Sequence, residues 1–206
     1  TNVAMPLTCW YTLIQPPTLL FFIRMNKRDY SHFINCTLEI KVYNYPFAKE
    51  INPYLHQLIL KEAVNRDKGA TMTDWTDLYS KYKEFKQVGD YAVNLIKSFE
   101  KKSSVPTVLP TERFRLGLKN IWGQYYNEGD HQIVHNHIPH YWSFVYFVNT
   151  PSGSSPLVLQ DKNGWKKIKA EEGKIICFPA WIYHHVPPNK CKERSVVVGN
   201  LGYDFF

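Results

Sequence analysis

The chain has 206 residues, 44% hydrophobic and 21% charged, values of a globular protein able to bury one full core. Its formal charge of +7 comes from lysines scattered along the whole length, and the densest run, Lys166-Lys167-Ile168-Lys169, is followed at once by Glu171-Glu172. A solvated hairpin accounts for that run, so no nucleic-acid partner is expected, because such a partner would want a continuous basic face with interleaved aromatics. The four cysteines, Cys9, Cys36, Cys177 and Cys191, stand far apart without CxxC spacing, which excludes a disulfide framework and fits free thiols in a reducing, cytoplasmic setting.

Residues 7–24 are apolar but carry Pro16-Pro17 at their centre and Arg24 at their end, so no membrane span is expected there. Met25 reads as a natural start, and residues 1–24 are expected to be an extension, either non-native or a packing arm. Residues 25–206 then form a single domain, with helical support over 50–103 and a β core over 105–206. In the helical part, Asn52-Pro53 has the form of a cap and first turn, and Leu55, Leu58, Ile59 and Ala63 mark one face as far as about Arg66. Leu78, Tyr82 and Phe85 place a second helix over roughly 74–86, and Asp90 caps a third that carries Tyr91, Leu95 and Phe99.

After residue 105 the pattern changes to short strands, expected at 119–127, 131–137, 141–149, 156–160, 164–169, 174–178, 182–187 and 194–201. Turn residues separate them at 151–156, 162–164 and 172–173. So many short strands without an intervening helix predict an α+β fold: a jelly-roll core with the N-terminal helices packed on one face.

Six of the eight histidines lie between 131 and 185. Neutral imidazole is the commonest protein ligand for first-row metals. Side chains two apart on a strand point the same way, so His135 and His137 can both face inward with Asn136 outward. His184 adds a third ligand from a distant strand, while His185 points to the opposite face. The set His135, His137 and His184 would leave coordination positions open for a co-substrate and oxygen. His131 and His140 would flank the mouth, and Trp122, Tyr125, Tyr126, Trp142 and Trp181 are candidates for the pocket wall or, equally, for the core.

These residues resemble the non-haem Fe(II)- and 2-oxoglutarate-dependent dioxygenases of the double-stranded β-helix fold, in particular the phage and bacterial branch similar to prolyl hydroxylases. The resemblance runs from Met72-Thr73-Asp74-Trp75 through Gly129, His135-Asn136-His137-Ile138-Pro139 and Ser143-Phe144-Val145-Tyr146-Phe147-Val148. It closes on Gly173, Phe178-Pro179-Ala180-Trp181, His184, Val186-Pro187, Glu193-Arg194 and Gly199-Asn200, covering roughly residues 70–202. It implies Fe(II) and 2-oxoglutarate as cofactors and O2 as co-substrate. The implied reaction hydroxylates a substrate such as peptidyl proline, with release of succinate and CO2, in the cytoplasm (the host's, for a phage protein). His135 and His184 match iron ligands, Arg194 matches the basic residue that pairs with the far carboxylate of 2-oxoglutarate, and Tyr146 looks like the tyrosine sharing that carboxylate. A guanidinium suits the task because its planar fork binds a carboxylate through two hydrogen bonds.

The chain departs from the general family pattern at His137, where most members carry a carboxylate, and Asp161 is the alternative third ligand. It departs again after Arg194, where Ser195 follows directly and Val196 takes the slot in which many members have serine. Two other readings compete. A cupin fits the histidine and glycine spacing, but Ile138–Ser143 lacks the expected glutamate, and Arg194 would have no task. A non-catalytic jelly-roll, such as a virion-associated structural protein, would hold no metal. The primary substrate and the oligomeric state are not legible in the sequence.

Overall fold

The computed structural model describes residues 40–67, 69–75, 77–102 and 114–205; the expectations for residues 1–24 and for Cys9 and Cys36 fall on positions outside these. In chain order the elements are β1 (Lys41–Asn44), α1 (Ala48–Glu62), β2 (Asn65–Asp67), β3 (Ala70–Met72), α2 (Leu78–Lys81), α3 (Lys83–Lys102), β4 (Phe114–Tyr126) and β5 (Gln132–His135). They continue with β6 (Trp142–Asn149), β7 (Leu157–Asp161), β8 (Gly164–Ile168), β9 (Lys174–Pro179), β10 (His184–Val186) and β11 (Arg194–Phe205). The strands form two antiparallel sheets, ordered β1-β9-β6-β11-β4-β3-β2 and β5-β10-β7-β8. This is a mostly antiparallel α+β architecture of the jelly-roll kind. Among the described residues no helix is long and apolar enough to cross a membrane.

Two apolar clusters sit on opposite faces of the seven-stranded sheet. On one face Leu55 and Ile59 of α1 and Phe85, Val88, Ala92 and Ile96 of α3 meet Ile121, Phe144, Tyr146, Ile175, Val197 and Leu201. On the other, Trp122, Tyr126, Val145, Phe147, Val196 and Val198 meet Leu157, Leu159, Ile168 and Val186 of the smaller sheet. Neighbouring residues of β4, β6 and β11 therefore go to different cores, as the alternation of a strand requires. Each fully buried Leu, Ile or Phe side chain contributes about 1.5–3 kcal/mol of transfer free energy. Helix α1 comes so close to β4 that a Cβ on Gly123 would lie 2.5 Å from Ile59 Cγ1, a contact only glycine permits without a shift.

The helices differ in their bounds from the sequence reading. Helix α1 begins at Ala48, and Phe47 ahead of it makes no side-chain cap, so Pro53 lies inside the helix. Asn52 does not cap. It is buried, receiving the Tyr146 hydroxyl proton at 2.6 Å and donating through Nδ2 to Glu172 Oε1 at 3.1 Å. A long-range partner took the polar side chain that a local cap would have used. Asp90 likewise lies within α3 rather than at its start, held by Tyr79 and by Lys86 one turn earlier. The chain breaks instead at Tyr82, which is extended between α2 and α3.

Candidate metal centre

Strand pairing assembles the site. In the smaller sheet β5 and β10 run antiparallel with His135 directly opposite His184, so the two side chains share one face. His137 lies beyond the end of β5, but its N–H donates to Ala180 O at 2.8 Å, which ties the turn to the segment leading into β10. The result brings three imidazoles together: ring centroids are 4.3 Å apart for His135 and His184, 5.0 Å for His135 and His137, and 4.9 Å for His137 and His184. Their ligand nitrogens all lie within 4.8 Å of one another, the only such group of histidine, cysteine or acidic side chains among the described residues.

Backbone carbonyls set the tautomers. His135 Nδ1 is 2.8 Å from Ile133 O and His184 Nδ1 is 3.0 Å from Ile182 O. A carbonyl can only accept, so each Nδ1 carries the proton and each Nε2 keeps its lone pair for a metal. His137 Nε2 and His184 Nε2 stand 3.1 Å apart. Nitrogen ligands lie about 2.1 Å from a first-row ion, which puts neighbouring ligands of one ion roughly 3 Å apart. The donor set, the tautomers and this spacing all fit a divalent ion. Phe178 packs 4.9 Å from the His184 ring and Trp122 lies 5.8 Å from the His137 ring, which fixes both imidazoles in place.

The imidazoles open onto a small cavity lined by residues of both sheets. Arg194 also lines it and is only 1% exposed, the largest fully buried side chain of the described residues. Its Nε donates to Ser155 O at 3.2 Å, and its guanidinium carbon sits 4.5 Å from the Tyr126 ring centroid and 5.4 Å from that of Phe147. Burial holds its pKa below the usual arginine value, with Tyr126 pulling the other way, and burial raises the Tyr126 phenol. Arginine starts so far above neutrality that the group stays cationic. Among the described residues its Nη1 has no hydrogen-bond partner, nor have Trp122 Nε1 and Gln132 Oε1, and all three residues line the cavity. A buried cation with an unused N–H is costly unless an anion meets it.

No protein-family model matches the sequence, and no curated protein matches it. Solved structures do share the fold. A prolyl-4-hydroxylase from Pseudomonas putida aligns with 81% of this chain and 93% of its own, at 14% identity and a TM-score of 0.62. The viral collagen prolyl hydroxylase of Paramecium Bursaria Chlorella virus-1, in its 2OG complex, aligns over 79% and 94% at 11% identity, again with a TM-score of 0.62. HygX from Streptomyces hygroscopicus, solved with nickel and 2-oxoglutarate, aligns over 86% and 87% at 10% identity and 0.59. The chain has the fold of the 2OG-Fe(II) oxygenases.

Within this oxygenase fold, His135, His137, His184 and Arg194 border one cavity, and two other expectations fail. Tyr146 does not reach Arg194: it lies in the helix-side cluster, and its hydroxyl is committed to Asn52. On β6 it is Val145 and Phe147 that face the smaller sheet, so Tyr146 is one residue out of phase. The tyrosine against Arg194 is Tyr126, its antiparallel partner on β4. Asp161 is no ligand either, because its Oδ1 accepts the Asn163 N–H at 2.7 Å in the β7–β8 turn and it stands apart from the imidazoles. Of the five aromatic wall candidates, Trp122 and Tyr126 line the cavity, whereas Tyr125 and Trp142 pack against the helix-side cluster and Trp181 against the inter-sheet cluster. His185 meets Trp165, away from the imidazoles, and neither His131 nor His140 joins the three-histidine group. Gln124 and Gln132 were missed. Gln124 shares the parity of Trp122 and Tyr126 on β4, a signal the sequence did contain, while Gln132 needed the β5–β10 pairing.

Proposed function

We propose that this protein is a non-haem Fe(II)- and 2-oxoglutarate-dependent oxygenase, a single domain over residues 25–206 that hydroxylates peptidyl proline or a similar substrate. The observation that carries the reading is one cavity that holds three convergent imidazoles and a buried arginine with an unused N–H. His135, His137 and His184 would hold the iron, and Arg194 the far carboxylate of 2-oxoglutarate. The bound iron and 2-oxoglutarate supply the chemistry, reducing O2 with release of succinate and CO2 and delivering one oxygen atom to the substrate.

The protein's own part is placement. Arg194, stacked on Tyr126, would hold the dicarboxylate at a fixed depth, and the Tyr126 hydroxyl is itself oriented by donating to Gln124 Oε1 at 3.0 Å. Val145, Leu157, Val186, Val196 and Val198 make the rest of the wall apolar, which excludes water around the charged groups. Trp75, half-exposed, stacks on Trp122 at 5.5 Å, so an aromatic surface leads from solvent to the ring beside His137. A prolyl ring could lie on that surface, which favours a substrate like those named for the hydroxylases of similar fold. Cys177 and Cys191 are free, which suits a reducing compartment such as the cytoplasm.

The test is anaerobic addition of Fe(II) and 2-oxoglutarate, followed by visible spectroscopy. The wild-type protein should develop the weak charge-transfer band of the chelate, and His184→Ala should lose both band and bound metal while keeping its far-UV circular dichroism. A wild-type protein without the band at saturating ligand would overturn the proposal.

A further inference from the structure

The residues on either side of Arg194 both reach back to one imidazole on helix α1. Ser195 is fully buried, with its hydroxyl 2.9 Å from His56 Nδ1, and Glu193 Oε2 lies 3.8 Å from His56 Nε2. A nearby carboxylate favours the tautomer with its proton on Nε2, which leaves Nδ1 to accept the Ser195 O–H. One turn earlier on the same face of the helix, Asn52 meets Tyr146, so α1 touches the sheet through polar groups at both β6 and β11.

The backbone around Arg194 departs from an ordinary strand entry. Glu193 has φ 58, and among the described residues it is the one non-glycine residue in the left-handed region. A residue with a side chain stays there only when its surroundings hold it. They do so here: Asn127 Oδ1 accepts its N–H at 3.3 Å, and Asn149 Nδ2 donates to its carbonyl at 2.7 Å. On the other side of Arg194, the pairing of β11 with β6 shifts register between Ser195 and Val196, the kind of irregularity that re-aims a side chain. Val196 then lines the cavity, whereas Ser195 turns to the helix. Arg194 thus enters the cavity from between a left-handed residue and a register shift, and His56 meets the chain on each side of it.

We propose that His56 is a positioning residue for co-substrate binding: by tethering Ser195 and Glu193 it fixes where β11 begins, and hence the depth at which Arg194 meets the far carboxylate of 2-oxoglutarate. This rests on the functional reading above and adds to it a residue outside the cavity that acts only through Arg194. A guanidinium needs such support because its two parallel hydrogen bonds to a carboxylate tolerate little displacement.

Anaerobic titration of 2-oxoglutarate into the Fe(II)-loaded full chain, followed by the visible band of the chelate, tests this in the wild type, His56→Ala, Arg194→Met and the double variant. His56→Ala should raise the 2-oxoglutarate Kd about 10-fold, the scale of a modest misplacement of a binding group. Its Fe(II) affinity without 2-oxoglutarate should be unchanged, and the same substitution made on Arg194→Met should add nothing. A merely structural histidine would weaken binding equally in both backgrounds, or lower Fe(II) affinity as well. If His56→Ala does not keep the wild-type circular dichroism, Ser195→Ala, which removes a single hydroxyl, takes its place in the cycle with an expected rise of at least about threefold. A smaller rise, or equal rises with and without Arg194, overturns the inference and leaves the functional reading standing. No band from the wild-type protein at saturating 2-oxoglutarate would instead remove the functional reading, and the inference with it.

Discussion

The two faces of the seven-stranded sheet treat buried polar groups in opposite ways. On the helix side Tyr146 donates to Asn52, Asn52 donates to Glu172, and the Ser195 hydroxyl lies 2.9 Å from His56 Nδ1. On the side that faces the smaller sheet, Arg194 Nη1, Trp122 Nε1 and Gln132 Oε1 are buried without hydrogen-bond partners among the described residues. A buried polar group left unmatched costs about 1–3 kcal/mol, more when charged. The helix face satisfies its buried polar groups within the chain, whereas on the proposed function the inner face leaves some of them for a ligand to meet. Residues separated by one position on a strand, such as Arg194 and Ser195, belong to different sides of that division.

The largest expected effect comes from replacing Arg194, which should break the inner face alone. Arg194→Met should weaken 2-oxoglutarate binding by about 100-fold, near 3 kcal/mol, the scale of a charge-assisted pair lost in a buried site. The ligand-free protein should unfold at the same or higher urea concentration, since an uncompensated buried cation has been replaced by an apolar chain. A large fall in the urea midpoint would mean that Arg194 is part of the structural core and that the two faces are alike.

Next in size is a pair of tyrosines. Tyr146→Phe leaves Asn52 Oδ1 without its donor and should cost about 1–2 kcal/mol in urea unfolding, with 2-oxoglutarate affinity unchanged. Tyr126→Phe should do the reverse, raising the 2-oxoglutarate Kd several-fold with a smaller loss of stability. If Tyr146→Phe instead weakened co-substrate binding, the division between the faces would be wrong.

The smallest effect concerns His140, at the edge of the inner side, whose Nε2 lies 3.5 Å from Asn120 Nδ2. Burial first, and Lys119 second, hold its pKa below the ordinary histidine value. The unfolded chain therefore takes up the proton more readily near pH 6.5 than the folded one does, and stability should fall as pH drops through that value, levelling off below the folded pKa. His140→Gln should flatten part of the Tm–pH curve between pH 7 and 5; an unchanged curve would show that His140 carries none of this dependence.

Much of the site could be read from the residues alone. The turn residues bounded the strands and the spacing to His184 and Arg194 carried the resemblance, but the two-residue period did not place His137, because β5 ends at His135 and His137 follows it outside the strand. Tyr146 failed for a definite reason. Strand β6 is buried at every interior position from Ser143 to Val148, so its sequence has no polar alternation to say which side faces the site. Asn52 failed likewise, because its partners lie 94 and 120 residues away and no local pattern announces them.

By itself, then, the sequence determined the strand-and-turn succession after residue 105, though not β1, β2 and β3 before it, together with the supply of three imidazoles and one arginine. Those are local properties, fixed by backbone geometry and side-chain chemistry. Only the tertiary structure decided which phase faces the cavity, that Tyr126 rather than Tyr146 meets Arg194, and that among the described residues it is His135, His137 and His184 that come together. Those depend on strand pairing and on helices that bury the sheet's second face, and pairing is set by contacts between residues far apart in the chain.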